Sequence, residues 1–211
     1  MTVARQITEH AGSLFDVVGV SQLASGDNLL IMGLESTAER DLDEFGRVGD
    51  AFQMYGFEKH VSPRLESVLN FIRGRGFSAE PVGQYGYPLE GEVNLKKEAI
   101  QAVLGKRGKS TIVLQPKYGP RLRFAAIRSD APLEPPIYSA LTEDENLLCS
   151  GCSICIDACP VEALKPYRMP DTSICLSNTT NMTQEQERLV PCDICLSLCP
   201  VAATHHNLLE E

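Results

Sequence analysis

The first 130 residues of the chain contain short apolar runs that alternate with stretches in which apolar residues recur every three or four positions. Apolar runs at residues 15–20 and 29–34 are rich in β-branched and aliphatic side chains, which predicts two buried strands after a first short helix. Two later stretches have helical periodicity. Their apolar residues are Leu42, Phe45, Val48, Phe52 and Tyr55 in the first stretch, and Leu65, Val68, Leu69 and Ile72 in the second. The pattern therefore predicts two amphipathic helices.

Residues that favour the start or the end of a helix predict where two of the helices begin and end. Ser62 as N-cap, Pro63 at the first helical position and Gly74 after the last apolar residue delimit the second amphipathic helix. Asn94 predicts the cap of a third helix that ends near Gly105.

The following stretch predicts more β structure and then a boundary. Residues 111–114 and 122–127 are apolar runs on either side of a turn-rich connection, which predicts that they pair with each other. The proline-rich residues 130–137 interrupt both periodicities. We therefore expect an N-terminal α/β domain over residues 1–130 and a cysteine-containing domain over residues 131–211, and hence an α+β protein.

Composition and charge narrow the class of protein. The 211 residues are 43% hydrophobic and 22% charged, which is typical of a globular chain. No apolar run is long enough to span a bilayer, and the N-terminus has no apolar segment of the signal-peptide type, so a cytoplasmic location is expected. Eight cysteines in such a chain indicate metal binding rather than disulfide bonds.

The charge is distributed unevenly. The net charge of −9 argues against a general nucleic-acid binder, but residues 96–128 contain nine basic residues and one acidic residue. This segment either forms an anion-binding face or balances acidic residues elsewhere in the molecule. Within it, Lys106, Arg107, Gly108 and Lys109 form a glycine-containing basic loop, which we take as a candidate site for a phosphate or carboxylate of a cofactor.

The cysteines carry the most specific signal. Cys149, Cys152, Cys155 and Cys159, followed by Pro160, have the spacing C-x2-C-x2-C-x3-C-P of bacterial ferredoxins, which bind [4Fe–4S] clusters. A second run lies 40 residues downstream and matches residues 152–164 at seven of thirteen positions.

The second run lacks one cysteine. Its members are Cys192, Cys195 and Cys199, and Leu189 stands at the position equivalent to Cys149. The remaining cysteine, Cys175, lies upstream and can supply the missing ligand. All eight cysteines are then used by two cubanes.

The ferredoxin pattern also predicts how the ligands are shared, because the fourth cysteine of each run ligates the other cluster in two-cluster modules. The first predicted set is Cys149, Cys152, Cys155 and Cys199. The second predicted set is Cys175, Cys192, Cys195 and Cys159. A zinc site with four cysteines is the alternative, although zinc sites do not require the third cysteine, the x3 spacing and the proline.

Several segments around the cysteines together form a familiar combination. They are residues 104–114, 116–120 and 128–134, and the second cluster region at 175–180 and 192–195. With these segments the sequence resembles the epoxyqueuosine reductase and reductive dehalogenase group. The resemblance implies a nitroreductase-related, cobalamin-domain-like α/β domain followed by a two-[4Fe–4S] ferredoxin-like module. In that group the clusters pass electrons to a cobalamin, which makes cobalamin a further expected cofactor.

Three features depart from that group. The chain is shorter than typical members, and Val103 replaces a glycine of the group. The aspartate that donates a proton in epoxyqueuosine reductases would fall near Leu89 or Glu90, but no aspartate occurs between residues 50 and 130. Glu90 or Tyr87 can take that role, and the sequence does not select either.

The function that these observations favour is an iron–sulfur protein that relays single electrons through two clusters to a cofactor or partner. One alternative is a compact cobalamin-dependent reductase, and another is an assembly or maturation protein in which the clusters are structural. The expected partners are a redox protein (a ferredoxin, a flavodoxin or a partner subunit) and a second copy of the chain or another complex.

Overall fold

A computed structural model describes residues 1–48, 51–83, 93–137, 146–181, 184–185, 188–189 and 192–203. The helices are α1 (Val3–Gly12), α2 (Tyr55–His60), α3 (Ser62–Arg73), α4 (Leu95–Gln101), a 3-10 turn (Leu147–Cys149), α5 (Ile154–Asp157), α6 (Thr172–Asn181), α7 (Ile194–Ser197) and α8 (Pro200–Ala203). The strands are β1 (Val17–Gln22), β2 (Asn28–Glu35), β3 (Phe45–Val48), β4 (Ala51–Gln53), β5 (Ala79–Val82), β6 (Lys106–Arg107), β7 (Val113–Leu114), β8 (Leu122–Ser129), β9 (Gln184–Glu185) and β10 (Arg188–Leu189). This mixture agrees with the predicted α+β class.

The centre of the N-terminal half is an antiparallel sheet with the strand order β1-β2-β8-β5. Side chains of successive strand residues point to opposite faces, and both faces of β2 are buried. Leu30 and Met32 belong to the core on the side of α1 and α3, whereas Leu29 and Ile31 belong to the core on the side of α4. The near-continuous apolar run of β2 follows from this two-sided burial.

The predicted helices around this sheet are partly confirmed. Helix α3 has the predicted buried face, but it begins one residue earlier than predicted. Val61 is its N-cap and Ser62 is its first residue. Asn94 caps α4 as predicted, since its side chain accepts a hydrogen bond of 3.1 Å from the Lys97 amide. Helix α4 ends at Gln101, before the predicted Gly105.

The prediction of one amphipathic helix over residues 42–55 is wrong. The structure has β3 and β4 there, paired antiparallel, followed by the start of α2. Gly46 and Gly49 interrupt the stretch, and each glycine costs about 1 kcal/mol in a helix interior. The spacing of the apolar residues alone did not outweigh this cost.

The predicted pairing of residues 111–114 with residues 122–127 is also wrong. Strand β7 instead pairs with β6 in a two-stranded hairpin, with Lys106 opposite Leu114. Strand β8 pairs with β2 on one side and with β5 on the other, so both of its edges are occupied. The short strand β5 was not predicted from the sequence.

A second sheet joins the two halves of the chain. Its strand order is β4-β3-β10-β9, and β10 comes from the segment between Cys175 and Cys192. Leu189 of β10 lies opposite Phe45 of β3. Ala131 and Leu133, just beyond β8, are buried in the core beside α1 and α3.

None of the helices within the described ranges has the length and hydropathy needed to cross a membrane.

Candidate metal centre

The first cysteine run forms a tight loop that begins in a 3-10 turn. The Cys149 amide donates to the Asn146 carbonyl at 2.7 Å, and the Cys152 amide donates to the Cys149 carbonyl at 3.1 Å. Gly151, between the two cysteines, has a φ of 66°, a conformation that glycine adopts without steric cost. Cys155 follows in α5. The two-residue spacings therefore bring three thiols to one side of the loop.

These three thiols line a small open cavity together with a cysteine from the end of the module. The residues around it are Lys109, Ser110, Leu114, Leu148, Cys149, Cys152, Cys155, Cys199 and Pro200. The four cysteines in this lining are the four of the first predicted ligand set. The cavity also receives three residues from the β6–β7 hairpin of the N-terminal half.

The pKa of Cys155 is influenced by the other three thiols that line the cavity. Burial raises the pKa of the Cys155 thiol, and the neighbouring thiols of Cys149, Cys152 and Cys199 raise it further. A thiol must lose its proton to bind metal, so a positively charged metal group in this cavity would replace mutual repulsion between thiolates by attraction.

The two cysteine runs repeat the same local structure. The residues before α5 and α7, Ser153 and Asp193, have φ/ψ of −130°/6° and −112°/7°. The Cys159 amide donates to the Ile156 carbonyl at 3.2 Å, and the equivalent Cys199 amide donates to the Leu196 carbonyl at the same distance. The repeat seen in the sequence is therefore a repeat of backbone geometry.

The second predicted set is completed from a helix. Cys175 lies in α6, and its pKa is raised by burial and then by the thiols of Cys192 and Cys159. Burial, followed by the thiols of Cys175 and Cys192, raises the pKa of Cys195 to about 12. The thiols of the second set thus influence one another electrostatically, and Cys195 is also influenced by Cys155 of the first set. The Cys159 sulfur also accepts a hydrogen bond of 3.4 Å from the Ala163 amide.

The position equivalent to Cys149 in the second run is used differently. Leu189 lies in β10, where it takes part in the second sheet.

All eight cysteines have free thiols. Within the described ranges, no three His, Cys, Asp or Glu side chains are arranged around a point where one metal ion would bind. A cubane differs from a single ion, because its thiolates surround a core of several atoms.

The basic loop that the sequence singled out lies against the cysteine loop. Lys109 Nζ donates a hydrogen bond of 2.9 Å to the Cys152 carbonyl. Lys106 and Arg107 are exposed in β6. Gly108 is buried, and a side chain at this position would meet Leu114, with a Cβ only 2.8 Å from Leu114 Cδ1.

Asn146 was not recognised from the sequence as a residue of the site. It is 2% exposed, and its side-chain amide donates to the carbonyls of Lys106 at 3.4 Å and Arg107 at 3.2 Å. Its Oδ1 atom accepts a hydrogen bond of 3.0 Å from the Leu148 amide. An asparagine just before the first cysteine is a capping signal that indicates this turn, but its contact with β6 depends on the tertiary fold.

Three arginines of the basic segment 96–128 pair with acids from the first half of the chain. The ion pairs are Arg121–Glu35 at 2.8 Å, Arg123–Asp43 at 2.5 Å and Arg128–Glu80 at 3.0 Å. These three arginines therefore balance charge inside the N-terminal half. Lys96 is different, since its pKa is lowered by desolvation and by Arg123 while the Cys195 and Cys175 thiols raise it. It lies near the second set of cysteines.

The two candidate sources of a catalytic proton, Tyr87 and Glu90, lie outside the described residues, as does Leu89, the other position near which the aspartate of the related group would fall.

Comparison with known proteins agrees with the cysteine pattern. The family model Fer4, described as a 4Fe-4S binding domain, matches residues 145–165. The chain is 30% identical over 130 residues to the epoxyqueuosine reductase of Listeria monocytogenes, covering 57% of this chain and 33% of that protein. It is 30% identical over 158 residues to the epoxyqueuosine reductase of Pseudomonas aeruginosa, covering 68% of this chain and 40% of that protein. The chain thus spans well under half the length of these relatives.

Solved structures share the fold at lower identity. An epoxyqueuosine reductase crystallised with a tRNA-Tyr epoxyqueuosine-modified stem loop superposes with a TM-score of 0.67 at 17% identity, covering 94% of this chain and 65% of that chain. The catabolic reductive dehalogenase NpRdhA in complex with 3-bromo-4-hydroxybenzoic acid superposes with a TM-score of 0.66 at 18% identity. The match covers 93% of this chain and 31% of that chain.

The α+β fold, the cysteine-lined cavity and the matched 4Fe-4S binding domain all agree with the resemblance found in the sequence. This chain is similar in sequence to epoxyqueuosine reductases, shares its fold with them and with reductive dehalogenases, and carries an iron–sulfur domain.

Proposed function

We propose that this chain is an iron–sulfur protein that relays single electrons through two [4Fe–4S] clusters to a cofactor or partner of a reductase system. The observation that carries the proposal is the cavity lined by Cys149, Cys152, Cys155 and Cys199. Thiolates are the usual ligands of such clusters, and their crossing between two runs is typical of two-cluster modules.

The proposed first cluster is held by these four cysteines. The proposed second cluster is held by Cys175, Cys192, Cys195 and Cys159, whose thiols influence one another electrostatically. When bound, each cluster supplies one-electron redox chemistry. The chain contributes the thiolates, the amide of Ala163 that faces the Cys159 sulfur, and the loops that hold both sets.

A surface beside the first set supports the proposal of a redox partner. Leu147 is 83% exposed, Ile154 is 45% exposed and Leu198 is 50% exposed, and each lies within two residues of a cysteine of this set. Contiguous exposed apolar side chains mark interaction sites, and we propose that these three residues form one docking face. A ferredoxin, a flavodoxin or a partner subunit that docks here would come close to the first cluster.

The first test is the metal content of anaerobically purified protein. About eight iron and eight sulfide per chain are expected for two cubanes. Stoichiometric zinc without sulfide would contradict the proposal, and four iron with four sulfide would limit it to one cluster.

The second test addresses the crossing of the ligands. Cys199→Ala is expected to remove the signal of the first cluster in electron paramagnetic resonance (EPR) and to retain the second, while Cys159→Ala has the opposite effect. Loss of the second cluster from Cys199→Ala would overturn the crossed assignment. Cys149→Ala and Cys192→Ala serve as the matched uncrossed variants, since both assignments give the same result for them.

A compact cobalamin-dependent reductase is the second candidate, favoured by the fold shared with epoxyqueuosine reductases and reductive dehalogenases. Another structural neighbour is a reductive dehalogenase whose structure suggests a mechanism for B12-dependent dehalogenation. Titration with cob(II)alamin, followed by absorption and EPR, tests this candidate. An unchanged spectrum would contradict it.

The same candidate raises the question of an RNA substrate, because one neighbour was crystallised with a tRNA stem loop. The acidic net charge of this chain argues against general binding of nucleic acid. Fluorescence anisotropy with a labelled tRNA-Tyr stem loop tests whether the chain nevertheless binds this RNA. Saturable binding at physiological salt that a scrambled hairpin does not reproduce would favour an RNA substrate.

A further inference from the structure

Lys109 is the charged residue through which the N-terminal half reaches the first cysteine cavity. It lines the cavity together with Ser110 and Leu114. Its ammonium group donates a hydrogen bond of 2.9 Å to the carbonyl of Cys152, which belongs to the proposed first ligand set. A positive charge is therefore built into the wall of the proposed cluster site.

The position of Lys109 is fixed by the hairpin and by the cysteine module together. The Gly108 amide donates to the Ile112 carbonyl at 2.7 Å and closes the hairpin. The Tyr167 amide of the module donates to the Lys109 carbonyl at 3.2 Å. Asn146 binds the strand that precedes the loop. The lysine is thus held between two parts of the fold.

A positive charge in this position has a defined electrostatic effect. A cubane with four thiolate ligands is an anion, and its negative charge grows by one when it accepts an electron. A nearby cation stabilises the reduced state more than the oxidised state, and the interaction is stronger in a partly desolvated site than in water. Net charge and hydrogen bonding around a cluster are known determinants of its potential.

We propose that Lys109 raises the reduction potential of the cluster held by Cys149, Cys152, Cys155 and Cys199. The hairpin of the N-terminal domain thereby sets the driving force for electron transfer through this cluster. The inference rests on the proposed function, since it requires a cluster in the cavity. In the reaction tested, the cluster gains one electron from dithionite, and no bond to the protein forms or breaks.

The experiment is an EPR-monitored redox titration of the full chain with dithionite. The variants are Lys109→Gln, which removes the charge, and Lys109→Arg, which retains it. Lys59→Gln removes the same charge from an exposed position on α2 and serves as the control. Lys109→Gln is expected to lower the reduction equilibrium constant of one of the two transitions about tenfold, which corresponds to about 59 mV for one electron. Lys109→Arg and Lys59→Gln are expected to leave it close to that of the unmodified chain.

Iron and sulfide are measured in the same samples, which separates this inference from the proposed function. Absence of sulfide from the unmodified chain would end the proposed function itself. Full iron content in Lys109→Gln, with a potential equal to that of Lys59→Gln, would overturn the role of Lys109 alone. An equal shift in Lys109→Arg would also overturn it, since charge would then not be the cause.

A second neutral variant covers the case in which Lys109→Gln does not retain its cluster. Nε-acetyl-lysine incorporated at position 109 keeps the length of the side chain and removes its charge. The same tenfold change is expected. Loss of iron from both neutral variants, with normal iron in Lys109→Arg, would assign Lys109 a structural role and overturn the proposal.

Discussion

Individual residues other than glycine have unusual backbone conformations. Among the described residues, those with positive φ are Val103 at 59°, Thr111 at 68°, Glu162 at 52° and Tyr167 at 62°. Val103 and Thr111 are β-branched, and such residues are disfavoured in the left-handed region. Val103 precedes the hairpin that carries Lys109, Thr111 lies in its turn, and the other two lie in the cysteine module. The surrounding structure must therefore hold each of them in a strained conformation.

Val103→Gly is expected to stabilise the fold. The valine has a φ of 59° and is 63% exposed, so glycine removes strain and loses little packing. Relief of the left-handed conformation gives about 1 kcal/mol in the free energy of unfolding, measured by urea denaturation. Ile137→Gly is the control, since this fully exposed β-branched residue lies outside the positive-φ set. A loss of stability in Val103→Gly equal to that in Ile137→Gly would contradict the prediction.

Gly151→Ala is expected to weaken the first cysteine loop. The glycine has a φ of 66°, and an added Cβ would meet no atom within 4 Å, so the cost comes from the backbone conformation alone. That cost is about 1–2 kcal/mol. It should appear as faster loss of iron to a chelator.

The matched control for that variant is Gly12→Ala. Gly12 also has open space around its Cβ position, but it lies at the end of α1 and has no positive φ. Its iron should be lost at the rate of the unmodified chain. Equal rates in the two variants would show that the φ of Gly151 is not required.

At the level of elements, Asn146 connects the cysteine loop to the hairpin. Asn146→Ala leaves the carbonyls of Lys106 and Arg107 without this donor and removes the acceptor for Leu148. Loss of such buried hydrogen bonds costs about 1–3 kcal/mol. We expect lower thermal stability of the module and faster release of iron to a chelator.

Asn94→Ala provides the comparison at another capped turn. It removes the N-cap of α4, at a cost of about 1 kcal/mol, and the bond that is lost joins Asn94 to the Lys97 amide rather than to the first cysteine loop. Its release of iron from the first set should equal that of the unmodified chain. If Asn146→Ala releases iron no faster than Asn94→Ala, then the contact with β6 does not support the cysteine loop.

The sequence predicted those elements whose cause is local. The periodicity of α3 and the cap at Asn94 depend on neighbouring residues, and both appear in the structure. Over residues 42–55 two glycines disfavour the predicted helix locally, and β3, which forms there instead, pairs with residues 188–189. Nothing in the local pattern indicates a partner strand so far along the chain. The same reasoning applies to β8, whose neighbours are β2 and β5 rather than β7.

For the candidate site too, the features with a local cause were predicted from the sequence, and those that depend on tertiary contacts were not. The spacing of the cysteines indicated the ligand sets, and the structure places the first set around one cavity. The basic segment left two interpretations open, because the acids that pair with Arg121, Arg123 and Arg128 lie far away in sequence. The position of Lys109 beside Cys152 also depends on tertiary contacts, so the sequence indicated the loop but not what it contacts.

At the level of the whole molecule, the hydrophobic core is confined to one part of the chain. The two clusters of buried apolar residues contain members from residues 7–133 only, within the described ranges. Between residues 146 and 203, the buried residues that the structure describes are Asn146, Cys149, Ala163 and Leu164. A segment with so few buried side chains needs another source of stability, such as bound metal.

Removal of iron is therefore expected to affect the two parts unequally. After chelation under reducing conditions, amides of residues 146–203 should lose protection in hydrogen exchange, whereas β2 and β8 should remain protected. Mass spectrometry of peptic fragments measures both in one sample. Equal loss of protection in β2 would show that the core depends on the clusters, and full protection of the module would show that it folds without them.

Strand β10 has a consequence for how the module can be used outside this protein. It lies between Cys175 and Cys192, two proposed ligands of one cluster, and its neighbour β3 belongs to the N-terminal half. A fragment cut near residue 130 would keep all eight cysteines but lose β3, the strand that pairs with β10. The cysteine module is therefore not expected to fold as an independent ferredoxin domain, because the partner strand of β10 belongs to the N-terminal half.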